Sequence, residues 1–116
     1  MSYSSMKTPT RRVSIARDFS RVPAGRYLSD GEVSGENFRE KILRPLLAGE
    51  GEVIIDLDNT EGYGSSFLEE AFGGLVRIGF SADILKARLK FVSEEDPSLI
   101  DEILGYIEDA QRRASH

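Results

Sequence analysis

Hydrophobic residues recur along this chain in two rhythms, and the switches between them set the expected order of elements. Residues 12–19 alternate loosely, with Val13, Ile15 and Arg17 on one side and Ser14 and Ala16 on the other, which predicts a first strand. Val22-Pro23-Ala24-Gly25 breaks it, and Arg26-Tyr27-Leu28 predicts a short second strand ended by Ser29-Asp30-Gly31. A period of four then takes over. Phe38, Ile42 and Leu46, with Leu43 and Leu47 beside them, mark the buried stripe of a helix. Ser34 suits its N-cap, Glu36 suits the positive end of its dipole, and Gly49 closes it. Pro45 predicts a kink or an end near Arg44.

The run Val53-Ile54-Ile55 within residues 52–58 is apolar without alternation, as in a strand buried on both faces of a parallel sheet. That reading puts Ile54 in the interior, where an aspartate would unfold the domain. A second amphipathic helix carries Phe67, Leu68, Ala71, Phe72, Leu75 and Val76 on one face. Its Gly73-Gly74 pair weakens it by roughly 1 kcal/mol per glycine relative to alanine and suggests close approach to a sheet. Gly79 ends it, and residues 81–86 form a short helical turn capped by Ser81. Residues 88–93 are the last strand. Asp96 as N-cap with Pro97 in the first helical position opens a final helix, whose stripe is Leu99, Ile100, Ile103, Leu104 and Ile107. Arg112 and Arg113 sit at its negative end. The order predicts an α/β domain with a mostly parallel or mixed sheet of about four strands and three main helices.

Composition narrows the classes. A chain of 116 residues, 40% apolar and 30% charged, fits one globular domain, expected over residues 11–113 with a disordered tail at 1–10 and a short tail at 114–116. The absence of cysteine removes disulfides and thiolate chemistry and fits a reducing, cytoplasmic setting. No apolar run has the length of a membrane span, and the first residues lack a signal-peptide core. Charge is uneven: residues 1–26 carry six basic side chains against Asp18, while the whole chain is at −5. The expected reading is arginines on an edge strand and an acidic body that would repel a phosphate backbone, so neither nucleic acid nor membrane is an expected partner.

Candidate chemistry concentrates after the central strand. Asp56 and Asp58 lead into a turn, Asn59-Thr60-Glu61-Gly62-Tyr63-Gly64, and Ser65-Ser66 opens the second helix. Ligand sites in open α/β sheets lie at this carboxyl end of the strands. Ser66-Phe67-Leu68-Glu69 has the spacing of a capping box. The same placement would expose a hydroxyl beside free backbone N–H groups, where a phosphate is favoured. Tyr63 suits either a surface anchor for a partner or a lid over the sheet edge. A serine nucleophile lacks a base, because the single histidine is His116, the last residue, and the same count removes metal sites built on Cys or His.

Two resemblances follow from these residues. Asp56-Leu57-Asp58-Asn59-Thr60 resembles motif I of the haloacid dehalogenase phosphatases, which would make Asp56 a nucleophile and Asp58 an acid/base beside Mg²⁺. Lys90 and Glu94-Glu95-Asp96 would then imitate the later motifs. Only 56 residues follow Thr60, too few for that family's cap and core. The second resemblance covers more of the chain, roughly residues 12–110. Gly25-Arg26-Tyr27, Ser34-Gly35-Glu36-Asn37-Phe38-Arg39-Glu40 and Gly64-Ser65-Ser66-Phe67-Leu68-Glu69-Glu70-Ala71-Phe72 together resemble the STAS-like family of unknown function. The broader STAS fold is that of bacterial anti-sigma-factor antagonists, in which a serine of a D-S-S-G segment is phosphorylated by a partner kinase. The resemblance aligns Ser66 with that serine, beside Ser65, although Gly64 and Phe67 replace the flanking Asp and Gly. It implies a non-enzymatic, cofactor-free interaction module in signalling or transcription regulation. Its contact surface would be Asp58, Asn59, Thr60, Glu61, Tyr63 and Gly64 with the helix start, and its partner a kinase-like ATP-binding regulator.

Overall fold

A computed structural model describes residues 10–115. The tail expected at 1–10 falls almost wholly outside them. Three parallel strands, β1 (Arg11–Ser14), β2 (Val53–Asp56) and β3 (Leu89–Val92), form a sheet in the order β1-β2-β3. The helices are α1 (Ile15–Asp18), α2 (residues 35–48), α3 (residues 65–77), α4 (Ala82–Arg88) and α5 (Ser98–Ala114). Both crossovers advance the same way across the sheet, so right-handed connections put α2 and α3 on one face. Along that side α5 packs against α3 and runs to Ala114.

Register explains burial. One side of the sheet presents Val53, Leu89, Val13, Ile55 and Phe91 to the helices, and the first four are buried. The other side carries Arg12, Ile54 and Lys90 in one row and Ser14, Asp56 and Val92 in the next. β2 is therefore not buried on both faces: Val53 and Ile55 are inside, and Ile54 is half-buried between Arg12 and Lys90. A continuous apolar run hid an ordinary period of two. The core beneath the inner face is aromatic, with Phe38 5.8 Å from Phe67 and 6.3 Å from Phe72, and Phe19 5.1 Å from Phe38.

Among the described residues the sheet has three strands rather than about four. Residues 26–28 make no ladder, because the backbone there serves turns. Asp30 Oδ2 accepts the N–H groups of Arg26 (3.2 Å) and Tyr27 (2.8 Å). The carbonyls of Gly25 and Arg26 accept the N–H groups of Gly35 and Glu36 at the start of α2. A 3₁₀ turn, Leu28–Asp30, follows. β1 is cut short by side chains that compete for its backbone: Ser14 Oγ accepts from Arg17 N–H, and Asp18 Oδ2 accepts from Ser14 N–H (2.8 Å), starting α1.

Both long crossover helices contain a π-turn. In α2 it is Arg39–Leu43, between the α-helical segments Gly35–Phe38 and Arg44–Ala48. In α3 it is Glu69–Gly73, between Ser65–Leu68 and Gly74–Arg77. The first absorbs Pro45. Arg44 N–H bonds to the Arg39 carbonyl, five residues back, and the widened turn lets the helix pass Pro45 and run on to Gly49. Ser34 caps α2 and Ser81 caps α4 through their hydroxyls, as their positions predict. Asp96 Oδ1 accepts from Ser98 N–H, while Pro97 takes the cap position of α5, one residue later than expected.

Candidate functional site

The loop after β2 is held by the acids that begin it. Leu57 N–H continues the pairing with β3 through the Val92 carbonyl (2.8 Å). Asp56 accepts from Asp58 N–H (3.0 Å) and pairs with Arg12 across the outer face (3.2 Å). The Asp58 carboxylate accepts from the N–H groups of Glu94 (3.1 Å) and Glu95 (3.0 Å), tying this loop to the one after β3. Asn59 takes the left-handed conformation, φ 73°, and its N–H reaches Glu95 Oε1 (2.9 Å). Both candidate catalytic acids are thus committed to turn geometry. Lys90 faces Glu52, toward the opposite end of its strand.

Tyr63 belongs to the scaffold. Its hydroxyl donates to the Leu57 carbonyl (2.8 Å), and its ring lies 6.0 Å from Phe67 in the core cluster. Burial pushes its phenol up to about 12. What the loop presents to solvent is Asn59, Glu61, Gly62, Gly64 and Ser65, with Asp58, Thr60 and Ser66 half-buried.

The serines do not cap α3. Gly64 is the N-cap, φ −74° and ψ 144°, and its carbonyl accepts Leu68 N–H (3.2 Å). Ser65 and Ser66 are the first two helical residues, and neither hydroxyl makes a cap bond. The expected capping box does not form, because the helix starts two residues earlier than a cap at Ser66 would need and Ser66 lies inside the first turn; Glu69 pairs with Arg26 and Arg77. Both hydroxyls stand at a helix start whose first N–H groups have no side-chain partner, and Ser65 is the more exposed of the two.

Two clefts flank the loop. The one on the β1 side, about 400 Å³, is lined by Ser14, Ala16, Arg17, Arg21 and Asn59. The one on the β3 side, about 280 Å³, has the carboxylates of Asp58, Glu61, Glu95, Asp96 and Glu102 in its wall. Glu102 accepts from the Tyr106 hydroxyl (2.6 Å), a bond that raises that phenol to about 12, with burial adding to it.

A second cluster, which the sequence did not single out, lies where the π-turns meet. Arg39, 7% exposed, donates to the Glu70 carboxylate (2.7 Å), to the Glu70 carbonyl (2.9 Å) and to Glu40 (2.9 Å). Glu70 is equally buried and also meets Arg26 (3.4 Å) and Arg77 (3.2 Å). Arg77 and Arg26 pair with Glu69 as well, and Arg77 above all holds the Glu69 carboxyl below its ordinary value, against the opposing effect of burial. The glycine pair makes room for this cluster rather than for the sheet. A Cβ on Gly74 would overlap the Arg39 guanidinium, and one on Gly73 would overlap the Glu69 carboxylate. A Cβ on Gly35 would strike the Phe67 carbonyl, so α2 and α3 also touch at their starts. The available signal was two adjacent glutamates inside an otherwise apolar helix face, needing cationic partners once buried.

All three segments that carried the resemblance converge here: Arg26 from the first, Arg39 and Glu40 from the second, Glu69 and Glu70 from the third. The model of a known protein family, the STAS-like domain of unknown function (DUF4325), matches residues 34–99, more than half of the chain. The chain belongs to this family. The matched span of the STAS-like domain runs from the cap of α2 to the first turn of α5 and includes the 58–66 loop and every member of the ion cluster except Arg26. No curated protein and no solved structure matches the chain. Among the described residues no helix is long and apolar enough to cross a membrane.

Proposed function

We propose that this STAS-like domain is a non-enzymatic interaction module whose contact surface is the 58–66 loop with the start of α3, and that Ser65 and Ser66 are its regulatory positions. The observation that supports this most is the pair of serine hydroxyls left out of the helix cap, at the carboxyl edge of the sheet, beside a loop fixed by Asp58 and Tyr63. A rigid loop loses little entropy on binding. A phosphate added at Ser65 or Ser66 gains from the α3 N-terminus and adds charge to a surface already carrying Glu61 and Glu102. The partner class is a kinase-like ATP-binding regulator, as in an anti-sigma-factor-antagonist switch.

The test is recovery of the tagged chain from its native cell, with mass spectrometry of bound proteins and of the peptide carrying Ser65 and Ser66. Partner binding is expected to survive in S65A/S66A and to fall in S65D/S66D. Equal binding by both variants, with no phosphate on either serine, removes the switch. Mg²⁺-dependent hydrolysis of a phosphate ester, abolished in Asp56→Asn, would replace this reading with the phosphatase one.

A further inference from the structure

The two clefts at the carboxyl edge have opposite charge and share one wall. Asn59 lines the β1-side cleft, and its neighbours Asp58 and Thr60 line the β3-side cleft, so the loop is a ridge between them. On the β1 side stand Arg17, its side chain 72% exposed, and Arg21. Arg17 shares its charge with Asp18 (3.2 Å). Arg21 contacts the Asn59 carbonyl and meets no carboxylate among the described residues. On the β3 side none of Asp58, Glu61, Glu95, Asp96 and Glu102 has a cationic partner among the described residues, and their hydrogen-bond donors are backbone N–H groups and hydroxyls. The acidic wall is therefore uncompensated within the described chain, and the basic wall lies directly across the ridge.

Resting on the reading of this edge as the contact surface, we propose that it binds a second copy of the same chain. The two-fold axis runs along the 58–64 ridge. That rotation lays Arg17 and Arg21 of each copy over the acidic cleft of the other. Charge complementarity selects this occupant: a surface with adjacent opposite clefts is its own complement under a two-fold, and one rotation sets both clefts of each copy against their opposites, so no open chain of molecules grows. The paired state covers Asn59, Glu61 and the neighbourhood of Ser65. Self-association and engagement of a regulator at this edge are then mutually exclusive, and the dimer is the resting form.

Sedimentation equilibrium of the purified full chain tests this. Dimer is expected at low ionic strength, dissociating toward monomer at about 1 M salt, where screening acts within about 3 Å. Charge reversal of one wall, R17E/R21E, or of the other, E61K/E95K, is expected to weaken self-association about tenfold or more, because each places like charges across the interface. An equimolar mixture of the two reversed proteins is expected to associate as a heterodimer. Glu61 is exposed with no side-chain partner among the described residues, so Glu61→Lys alone serves if a double variant loses its native circular dichroism. A monomer at all salt concentrations, a dimer indifferent to both reversals, or reversed proteins that fail to pair would each overturn the proposal. A monomer that still captures a different protein through the same edge overturns self-association and leaves the interaction-module reading standing.

Discussion

At the scale of single residues, two serines with similar sequence contexts do different work. Ser34 is fully buried and its hydroxyl accepts Asn37 N–H (3.2 Å), so Ser34→Ala is expected to cost about 0.5–2 kcal/mol. Ser66 caps nothing, and Ser66→Ala is expected to stay within about 0.5 kcal/mol of the parent in urea unfolding. Equal losses in the two variants would show that Ser66 does hold the start of α3. Ser66 has a glutamate at the capping-box spacing, Glu69, while the third residue after Ser34 is Asn37 and Glu36 receives Leu28 N–H instead. Position separates them: Ser34 stands just before the first helical residue of α2, while Ser66 is already the second residue of α3 and its Glu69 goes to Arg26 and to Arg77 of the same helix. Tyr63 gives a second residue-scale expectation. Its phenol is raised to about 12 by burial, above an unfolded value of 10.0, so the neutral form stabilises the fold fully below pH 10 and that contribution is lost as pH rises toward 12. Tyr63→Phe is expected to cost about 1 kcal/mol at neutral pH, from the lost bond to Leu57, and to flatten part of the alkaline fall in stability. An unchanged alkaline profile in Tyr63→Phe would move that loss to other groups.

At the scale of elements, several helix ends were legible and the π-turns in helix interiors were not. Ser34, Ser81 and Gly49 bound their helices as predicted, because caps act within one turn of chain. The paired π-turns had no such local signal. Each widens its helix where Arg39 and Glu70 cross between α2 and α3, in place of apolar ridges. Arg39→Ala leaves Glu70 buried beside only the more distant Arg26 and Arg77, and is expected to cost about 3–5 kcal/mol. The double replacement R39M/E70M is expected to recover most of that loss, since apolar side chains of similar volume avoid the desolvation of both charges. A double variant as unstable as Arg39→Ala would show that the pair sets the helix register and cannot be replaced by packing.

At the scale of the molecule, the sheet has one face in the core and one that is only partly covered among the described residues, and this decides the sensitivity of neighbouring residues. Ile55 is fully buried and Ile54 is half-buried on the opposite face. Ile55→Asp is expected to unfold the domain, while Ile54→Asp, flanked by Arg12 and Lys90, is expected to leave a folded protein with native circular dichroism. A folded Ile55→Asp protein would overturn the assignment of the inner face. The sequence by itself determined the α/β class, a mostly parallel or mixed sheet, the STAS-like family and the place of the loop after β2, because each is written in short-range periodicity, caps and contiguous motifs. It could not determine the number of strands or which face of β2 is covered. Nor could it show that Asp58 serves the loop 36 residues away, that Arg26 and Glu69 meet across 43 residues, or that Arg39 and Glu70 meet across 31. Those outcomes depend on which buried charges find partners once the chain has closed on itself. Pairing across such distances is set by the geometry of the finished fold, since the local spacing of residues fixes only what each one can reach within its own turn.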